Sequence, residues 1–390
     1  MERRDAGTEW LIVGAGAAGS AISYFLARRG IATRTFEQFR LNHPFGSSHG
    51  RTRILRTTYS EGPEYVPLVL RARTLWRELG RQYRSPLFLP TGTLIIGRAG
   101  ERMVEGALTS ARTWGRPHRV LRPEEVSSRF PGFLLDPDEV AVWDPAGGVL
   151  RPERALRAFV GLARDRGSKF SWGETVHAWT ATEEGVEVRT SRKTYRGRGL
   201  ILSPGAWLGG LAPSLDLPLT IEGQSVFFLR SEPDRRAVYR SIPAFVWQRS
   251  TRGYFYGTPD LGHGLKVASD AGFVVQDPDH VPRGSSARER NLVTSFARRH
   301  LPGALGRIVE EMRCLYTNTP DHRFVLDHHP DHRNVIVVST CSGHGFKFMP
   351  AVGEAAARLV ETGHVPPGWE PFRMPRALRK DRTSPGRAPD

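Results

Sequence analysis

Cysteine is scarce in this chain, with two among 390 residues. So few cysteines exclude a disulfide framework and fit a reducing cytoplasm, which is where we expect the protein to be located. The sequence also lacks any run of 18 apolar residues, so it predicts no membrane-spanning helix. The first ten residues include basic side chains but no apolar segment, and we therefore expect no secretory signal peptide.

Lysine is rare as well, because only five of the 56 basic residues are lysines. The net charge of +16 is spread along the chain as arginines, which indicates a compositional bias rather than a nucleic-acid-binding arm. A basic surface would also suit an acidic carrier protein. Where arginine is the usual cation, a lysine within a motif is informative, since burial can tune an ammonium pKa. Two lysines lie in such contexts, Lys266 in "GHGLKV" and Lys347 in "GHGFKF".

A dinucleotide-binding motif begins at Trp10. The run "WLIV" predicts a buried strand, and Gly14, Gly16 and Gly19 form G-x-G-x-x-G directly after it. A helical pattern and a second strand ending at Glu37 follow. The first glycine permits a tight turn, the second lets the backbone approach a pyrophosphate, and the third packs the helix against the strand. The acidic residue accepts a hydrogen bond from an unphosphorylated ribose, so the motif predicts FAD or NAD without choosing between them.

An arginine-rich segment, "GSSHGRTRILR", carries Arg53 and Arg56 three residues apart. If "RILR" is helical, both side chains project from one face about one turn apart. Two guanidinium groups there could hold a carboxylate, or the negative charge of a reduced flavin. The alternative interpretation is a solvated loop in an arginine-rich chain.

Three segments together carry a resemblance to a known family: "GSSHGRTRILR", "CLYTNTPD" starting at Cys314, and "CSGHGFKF". The chain resembles the monomeric sarcosine oxidase and N-methyltryptophan oxidase family of D-amino-acid-oxidase-like flavoproteins, from about Trp10 to about Gly363. The resemblance implies an α/β fold, in which a Rossmann-type FAD-binding domain is interleaved with a substrate domain built mostly on an antiparallel β-sheet.

The domain boundaries implied by this resemblance divide the chain into alternating segments. The FAD-binding domain is expected at 8–85, 150–215 and 322–375, the substrate domain at 86–149 and 216–321, and a disordered tail at 377–390.

The resemblance also assigns roles to individual residues. Cys314 would bind FAD covalently, through a thioether to the flavin 8α-methyl carbon. Arg56 and Lys347 would hold the substrate carboxylate. Arg53 would lie beside the flavin ring, and Lys266 would activate dioxygen.

Further residues are expected to contact the cofactor or the substrate because they belong to the same motifs or to a second Gly-containing turn. They are Ser48, Ser203, Gly205, Trp207, Gly343, His344, Gly345 and Phe346 for the cofactor, and Tyr256 for the substrate. The second cysteine, Cys341, has no such role in the family and is interpreted as a core residue.

The segment after Lys266 departs from the family pattern. Sarcosine oxidases carry a pocket histidine three or four residues beyond this lysine, whereas this chain has Ser269 and Asp270. An Asp270 carboxylate in the pocket would attract a cationic substrate group and would favour a protonated amine, which argues against plain sarcosine. Trp247 is interpreted as a core aromatic residue.

These features predict a monomeric FAD-dependent amine oxidase. It would oxidise the C–N bond of a secondary or cyclic amino acid to an imine and reduce oxygen to hydrogen peroxide, with no metal and no membrane association. One alternative is a biosynthetic oxidase that desaturates a cyclic imino acid or a carrier-bound aminoacyl group. A second alternative, from another class, is a flavoprotein acting on RNA, which would use the net positive charge.

Overall fold

The structure is a computed structural model that describes residues 9–249, 253–282 and 284–375. The tail predicted to be disordered, 377–390, lies outside the described residues. The strands of the described part are, in chain order, β1 Trp10–Val13, β2 Thr33–Glu37, β3 Arg53–Leu55, β4 Phe88–Leu89, β5 Thr93–Arg98, β6 Arg119–Leu121, β7 Glu139–Asp144, β8 Gly148–Leu150, β9 Lys169–Trp172, β10 Val176–Thr182, β11 Gly185–Thr190, β12 Thr194–Gly197, β13 Gly199–Leu202, β14 Thr220–Ser231, β15 Ala244–Gln248, β16 Tyr254–Thr258, β17 Leu265–Ser269, β18 Phe273–Val274, β19 Ala304–Asn318, β20 Val325–His328 and β21 Val335–Ser339.

The α-helices of the same part are α1 Ala17–Ala27, α2 Tyr65–Gln82, α3 Arg102–Thr113, α4 Pro123–Arg129, α5 Pro152–Arg164, α6 Leu208–Leu211, α7 Arg236–Ser241, α8 Ala287–His300 and α9 Met349–Thr362. Short 3-10 turns occupy Gly205–Trp207, Pro213–Leu215, Pro233–Arg235, Phe346–Phe348 and Glu370–Phe372. None of these helices is long and apolar enough to cross a membrane.

A six-stranded sheet forms the centre of the first part of the molecule, and its strand order is β20-β21-β13-β1-β2-β9. Its strands are parallel except for β20, which pairs antiparallel with β21. Successive side chains of β1 point to opposite faces of the sheet, so each face packs against a different layer. Ile12 packs with residues of α1, α2, α5 and α9, while Leu11 and Val13 pack with the antiparallel β10-β11-β12 sheet. Both faces are therefore buried, which explains the continuous apolar run in β1.

A nine-stranded sheet forms the second part of the molecule. Its order is β18-β14-β17-β16-β15-β5-β7-β6, with β19 also paired to β14, and its neighbours are antiparallel except for β15 and β5. One face carries Phe227, Leu265 and Val267 into a core under α8. Residues of the opposite parity, such as Gln224 and Lys266, face the first part of the molecule across a cavity. The predicted α/β fold, with a Rossmann-type sheet and a mostly antiparallel second sheet, is confirmed.

The helix considered for "RILR" in the sequence does not form. Residues Arg53–Leu55 form strand β3, which pairs antiparallel with β8 in a small sheet that also contains β4. The preceding residues Gly50 and Arg51 have positive φ angles of 109° and 66°, so the chain turns sharply before the strand instead of entering a helix. Arg53 and Arg56 therefore do not share a helix face.

Candidate active site

A connected cavity of about 1030 Å³ lies between the parallel sheet and the nine-stranded sheet. Both parts of the molecule contribute to its walls. Every residue expected to bind the cofactor or the substrate lines it, apart from Gly19; the lining set includes Gly14, Gly16, Glu37, Ser48, Arg53, Arg56, Ser203, Gly205, Trp207, Tyr256, Lys266, Cys314, Gly343, His344, Gly345, Phe346 and Lys347.

The nucleotide end of the cavity is built by the turn between β1 and α1. Gly14 has a φ of 91°, and a Cβ there would lie 2.6 Å from the Ser203 carbonyl oxygen. Gly19 does not reach the cavity, because its backbone packs against the turn; a Cβ there would lie 1.9 Å from the Gly14 oxygen. The hydroxyl of Ser48 accepts a hydrogen bond from the Ala17 N–H at 3.0 Å. This glycine cradle at a helix N-terminus fits a pyrophosphate.

The carboxylate of Glu37 closes the same end. It is 7% exposed and accepts hydrogen bonds from the N–H groups of Ala15 at 2.9 Å and Phe39 at 3.0 Å. Burial raises the pKa of Glu37, although these backbone donors oppose the shift. A buried acceptor held at the end of the second strand is the arrangement that a ribose hydroxyl requires, so the residues present fit FAD.

Cys314 lies on β19, at the wall formed by the large sheet. Its Sγ atom is 3.6 Å from Arg53 Nη2 and 3.8 Å from the His49 carbonyl oxygen. Burial opposes ionisation of the thiol, but interactions with His49, Arg53 and Lys266 outweigh it and lower the pKa of Cys314 to about 6. These surroundings favour the thiolate and make Cys314 a candidate nucleophile.

Lys266, on β17, is 3% exposed and not a solvated loop lysine. Its Nζ donates hydrogen bonds to the carbonyl oxygens of Gly50 at 3.1 Å and Thr52 at 3.0 Å. Burial, together with the Arg53 charge, lowers the pKa of Lys266 to about 7. Backbone acceptors thus fix the Lys266 amino group near the Cys314 thiol.

Arg56 and Lys347 converge at another wall, where both are almost fully buried. Lys347 Nζ donates to the His344 carbonyl oxygen at 2.6 Å and to the Tyr59 hydroxyl at 3.3 Å. The Tyr59 ring also lies 4.8 Å from the Arg56 guanidinium carbon. Burial and the Arg56 charge lower the pKa of Lys347 well below its usual range. Two buried basic side chains at one place make this wall a candidate site for an anion, whose charge would favour the protonated form of Lys347.

Glu61 is a site residue that the sequence did not reveal. Its carboxylate forms an ion pair with Arg56, and although burial opposes ionisation, the charges of Arg56, His344 and Lys347 lower its pKa to about 2. Within the described residues, Arg56 Nε and Glu61 Oε2 are buried without a hydrogen-bond partner. The only local signal is an acidic residue five positions after an arginine, which is too common to predict this pair.

The wall contributed by β16 and β19 carries tyrosines. The hydroxyl groups of Tyr256 and Tyr316 are 3.1 Å apart, and Tyr254 lines the cavity beside them. Asp270, which follows β17, lines the same cavity. Trp247 is fully buried in the core behind the sheet and donates to Glu139 Oε1 at 2.8 Å, so its core assignment is confirmed.

The core assignment of Cys341 is wrong. This residue is half-buried and lines the cavity, with its Sγ 3.8 Å from Ser47 Oγ. It follows the end of β21, where the chain leaves the parallel sheet and opens onto the cavity. Ligands bind at this edge in sheets of this kind, which explains the position.

Comparisons with known proteins agree with this geometry. Residues 9–359 match the family model described as FAD dependent oxidoreductase. The chain is 35% identical over 361 residues to monomeric sarcosine oxidase of Streptomyces avermitilis, covering 90% of this chain and 93% of that protein. It is 30% identical over 368 residues to N-methyl-L-tryptophan oxidase of Citrobacter koseri, covering 94% and 98%.

The fold is also similar to that of a solved structure, the open form of NikD, described as an unusual amino acid oxidase essential for nikkomycin biosynthesis. The TM-score is 0.83 at 22% identity, covering 94% of this chain and 97% of the other. This likeness supports the fold and is too distant in sequence to carry a substrate.

Proposed function

The chain belongs to the FAD dependent oxidoreductase family, within its group of monomeric sarcosine oxidases and N-methyltryptophan oxidases, and we propose that it oxidises the C–N bond of a secondary amino acid to an imine. Dioxygen is the proposed electron acceptor and hydrogen peroxide the second product. The observation that carries the proposal is the position of the Arg56 and Lys347 cations in the same cavity as Cys314, Arg53 and Lys266.

FAD, when bound, accepts a hydride from the substrate carbon and delivers the electrons to dioxygen. The residues of this chain orient the substrate for that transfer. The Arg56 guanidinium and the Lys347 ammonium bind the carboxylate and so restrict the position of the α-carbon. Arg56 is paired with Glu61 through Nη2, and its Nε has no partner in the described structure, so Nε is the atom proposed to donate a hydrogen bond to the substrate carboxylate.

Lys266 is proposed to act on the oxygen half of the reaction. Negative charge develops on dioxygen as it is reduced, and a fixed ammonium stabilises that charge in a site shielded from water. Its acceptors are neutral carbonyl groups, those of Gly50 and Thr52, so its charge is not cancelled by an ion pair in the described structure.

Cys314 is proposed to attach the cofactor covalently. The new bond would join Sγ to the flavin 8α-methyl carbon, and the thiol and the methyl group would each lose one hydrogen, which dioxygen would take up as hydrogen peroxide. The thiolate is the nucleophile, and the lowered pKa of Cys314 supports its presence at neutral pH.

The proposed function is tested by hydrogen peroxide release from a panel of N-methyl amino acids and from the matching N-methyl amines without a carboxylate. We expect oxidation of the acids, and Arg56→Ala should raise KM for them about 10- to 100-fold, since a charge-assisted hydrogen bond to the carboxylate is lost. Arg98→Ala, at an exposed ion pair, is the control and should leave KM unchanged. An unchanged KM in Arg56→Ala, or equal activity on the plain amines, contradicts the proposal.

A further inference from the structure

The cavity also carries acidic residues, on the wall formed by the large sheet. Glu222, Gln224 and Val226 line the cavity from β14, whereas their neighbours Gly223 and Ser225 do not. This alternation shows that the side chains of these three residues point into the cavity. The carboxylate of Glu222 and the amide of Gln224 therefore share one face.

Asp270 lies next to this face. Strands β14 and β17 are antiparallel neighbours, and Val226 pairs with Ala268. Extending this pairing by two residues places Asp270 opposite Gln224, and neighbouring strands are roughly 5 Å apart. Gly272 leaves room for the Gln224 amide, since a Cβ there would lie 2.2 Å from Nε2. The three side chains thus form a patch of acceptors, which we name the acidic wall: Glu222, Gln224 and Asp270.

Gln224 supplies an observation independent of the two carboxylates. The residue is 2% exposed, and among the described residues its Oε1 atom is buried without a hydrogen-bond partner. An unpaired buried acceptor costs free energy unless a ligand supplies a donor. Because Gln224 lies in the cavity wall beside two carboxylates, the donor that this acceptor suits best is a cation.

The Asp270 carboxylate is only partly used by the protein itself. Oδ1 accepts a hydrogen bond from the Tyr254 N–H at 3.0 Å, which ends the ladder between β16 and β17. Neither Asp270 nor Glu222 forms an ion pair within the described structure. Arg102, at the start of α3, also lines the cavity and is the cation whose charge Asp270 senses. Burial and the Glu222 charge raise the pKa of Asp270, as expected for neighbouring acids without a bound partner.

The reacting amine is a poor match for this acidic wall. An amine must be neutral to release a hydride, and an adjacent carboxylate would keep it protonated. A second cationic group, farther along the substrate, has no such conflict. The residues proposed to bind the substrate carboxylate are Arg56, directly after β3, and Lys347, directly before α9. They and the acidic wall therefore come from different parts of the molecule.

We propose that the acidic wall binds a second positive charge on the substrate, so that the enzyme prefers secondary amino acids with a basic side chain. This inference rests on the proposed function, because it assumes that the substrate carboxylate is held by Arg56 and Lys347. A ligand that spans the cavity is then anionic at one end and cationic at the other.

Binding of non-oxidisable probes to the purified holoenzyme tests the wall directly. Pentanoate and 5-aminopentanoate differ in the terminal ammonium, and shifts in flavin absorbance report their dissociation constants. We expect the amino compound to bind about tenfold more tightly at neutral pH, the gain from a charge-assisted hydrogen bond. Equal affinity, or tighter binding of pentanoate, overturns the inference in the wild-type protein, without reliance on any variant.

Variants then assign the effect to a residue. Asp270→Asn should abolish most of the affinity difference between the two probes, and Glu222→Gln should reduce it. Asp277→Asn is the matched control, because Asp277 is an exposed acid paired with His280 outside the cavity, and it should preserve the difference. A difference that survives in Asp270→Asn and Glu222→Gln overturns the assignment.

Turnover separates failure of this inference from failure of the proposed function. Nα-methyl-lysine and N-methyl-norleucine have similar length, and the ratio of their kcat/KM values should exceed about ten and fall in Asp270→Asn. Equal oxidation of both compounds leaves the proposed function standing and overturns the acidic wall. Selective binding of 5-aminopentanoate without oxidation of either compound supports the wall and contradicts the proposed function. A similar loss for both compounds in Asp270→Asn would place Asp270 at the reacting amine and overturn the inference.

Discussion

At the scale of single residues, the two cysteines have different surroundings within one cavity. Cys314 is buried beside Arg53 and Lys266, whereas Cys341 is half-buried near the Ser47 hydroxyl. Positive charge stabilises a thiolate and a neutral hydroxyl does much less. The two cysteines can therefore be compared directly. We expect the electrostatic environment, and not position in the cavity alone, to determine which thiol reacts with the flavin.

Acid precipitation of the purified protein tests covalent attachment through Cys314. We expect the flavin colour to remain in the pellet of the wild-type protein and to move to the supernatant in Cys314→Ser, because serine is not a comparable nucleophile at neutral pH. Cys341→Ser is the control and should retain the colour in the pellet. Free flavin in the wild-type supernatant would contradict the attachment, and so would a coloured Cys314→Ser pellet.

Lys266 should affect one half of the reaction. In Lys266→Met we expect rapid-mixing absorbance to show near-normal reduction by substrate and at least about tenfold slower reoxidation by dioxygen, since a cation that stabilises developing charge is lost. Lys193→Met, at an exposed lysine, should leave both rates unchanged. If reduction slows as much as reoxidation, the oxygen role is wrong.

At the scale of elements, two glycines inside helices differ in whether the surrounding structure leaves room for a side chain. Gly19 in α1 lies against the β1 turn, where a Cβ would meet the Gly14 oxygen at 1.9 Å. Gly161 in α5 has no atom within 4 Å of an added Cβ in the described structure. The first glycine permits a close approach of helix and turn, while the second only weakens its helix.

Alanine substitutions at these two positions should therefore change stability in opposite directions. Gly161→Ala should raise the free energy of unfolding by about 0.5–1 kcal/mol. Gly19→Ala should lower it by about 1–3 kcal/mol and reduce the flavin content, because the added methyl group displaces the pyrophosphate turn. Thermal unfolding and the flavin-to-protein absorbance ratio measure both effects. A Gly19→Ala protein with normal stability and flavin would contradict this view of the turn.

At the scale of the whole molecule, Asp144 joins the large sheet to the segment that carries Arg56. Asp144 ends β7 and is fully buried. Its carboxylate accepts hydrogen bonds from the Thr57 hydroxyl at 3.0 Å and from the Thr58 N–H at 3.2 Å, directly after Arg56. The position of one substrate-binding cation thus depends on contact between the two parts of the molecule.

Asp144→Ala should therefore weaken both stability and substrate binding. Loss of hydrogen bonds to a buried charged acceptor should lower the free energy of unfolding by about 1.5–3 kcal/mol, and KM should rise as Arg56 becomes less well positioned. Asp138→Asn, at an exposed acid next to the same strand, should stay within about 0.5 kcal/mol of wild type. A stability loss with an unchanged KM would show that Asp144 does not position Arg56.

Local segments of the sequence were sufficient for the cofactor motif and the family. The turn at Gly14, the acid at Glu37 and the cysteine at Cys314 are each recognisable within a few residues, because the backbone geometry and the chemistry they serve are local. The two lysines were recognisable for the same reason, as rare residues in glycine-containing segments. The fold class followed from these motifs.

Contacts between distant segments required the tertiary structure. Arg53–Leu55 is a strand because it pairs with β8, almost a hundred residues farther along the chain, and no local pattern reports that partner. The Arg56–Glu61 pair and the environment of Gln224 depend in the same way on burial, which changes pKa values and leaves atoms unpaired only after the chain has folded. Local motifs in the sequence thus determined which residue types are present at the site. Their charges and partners were decided only when the two parts of the molecule packed around one cavity.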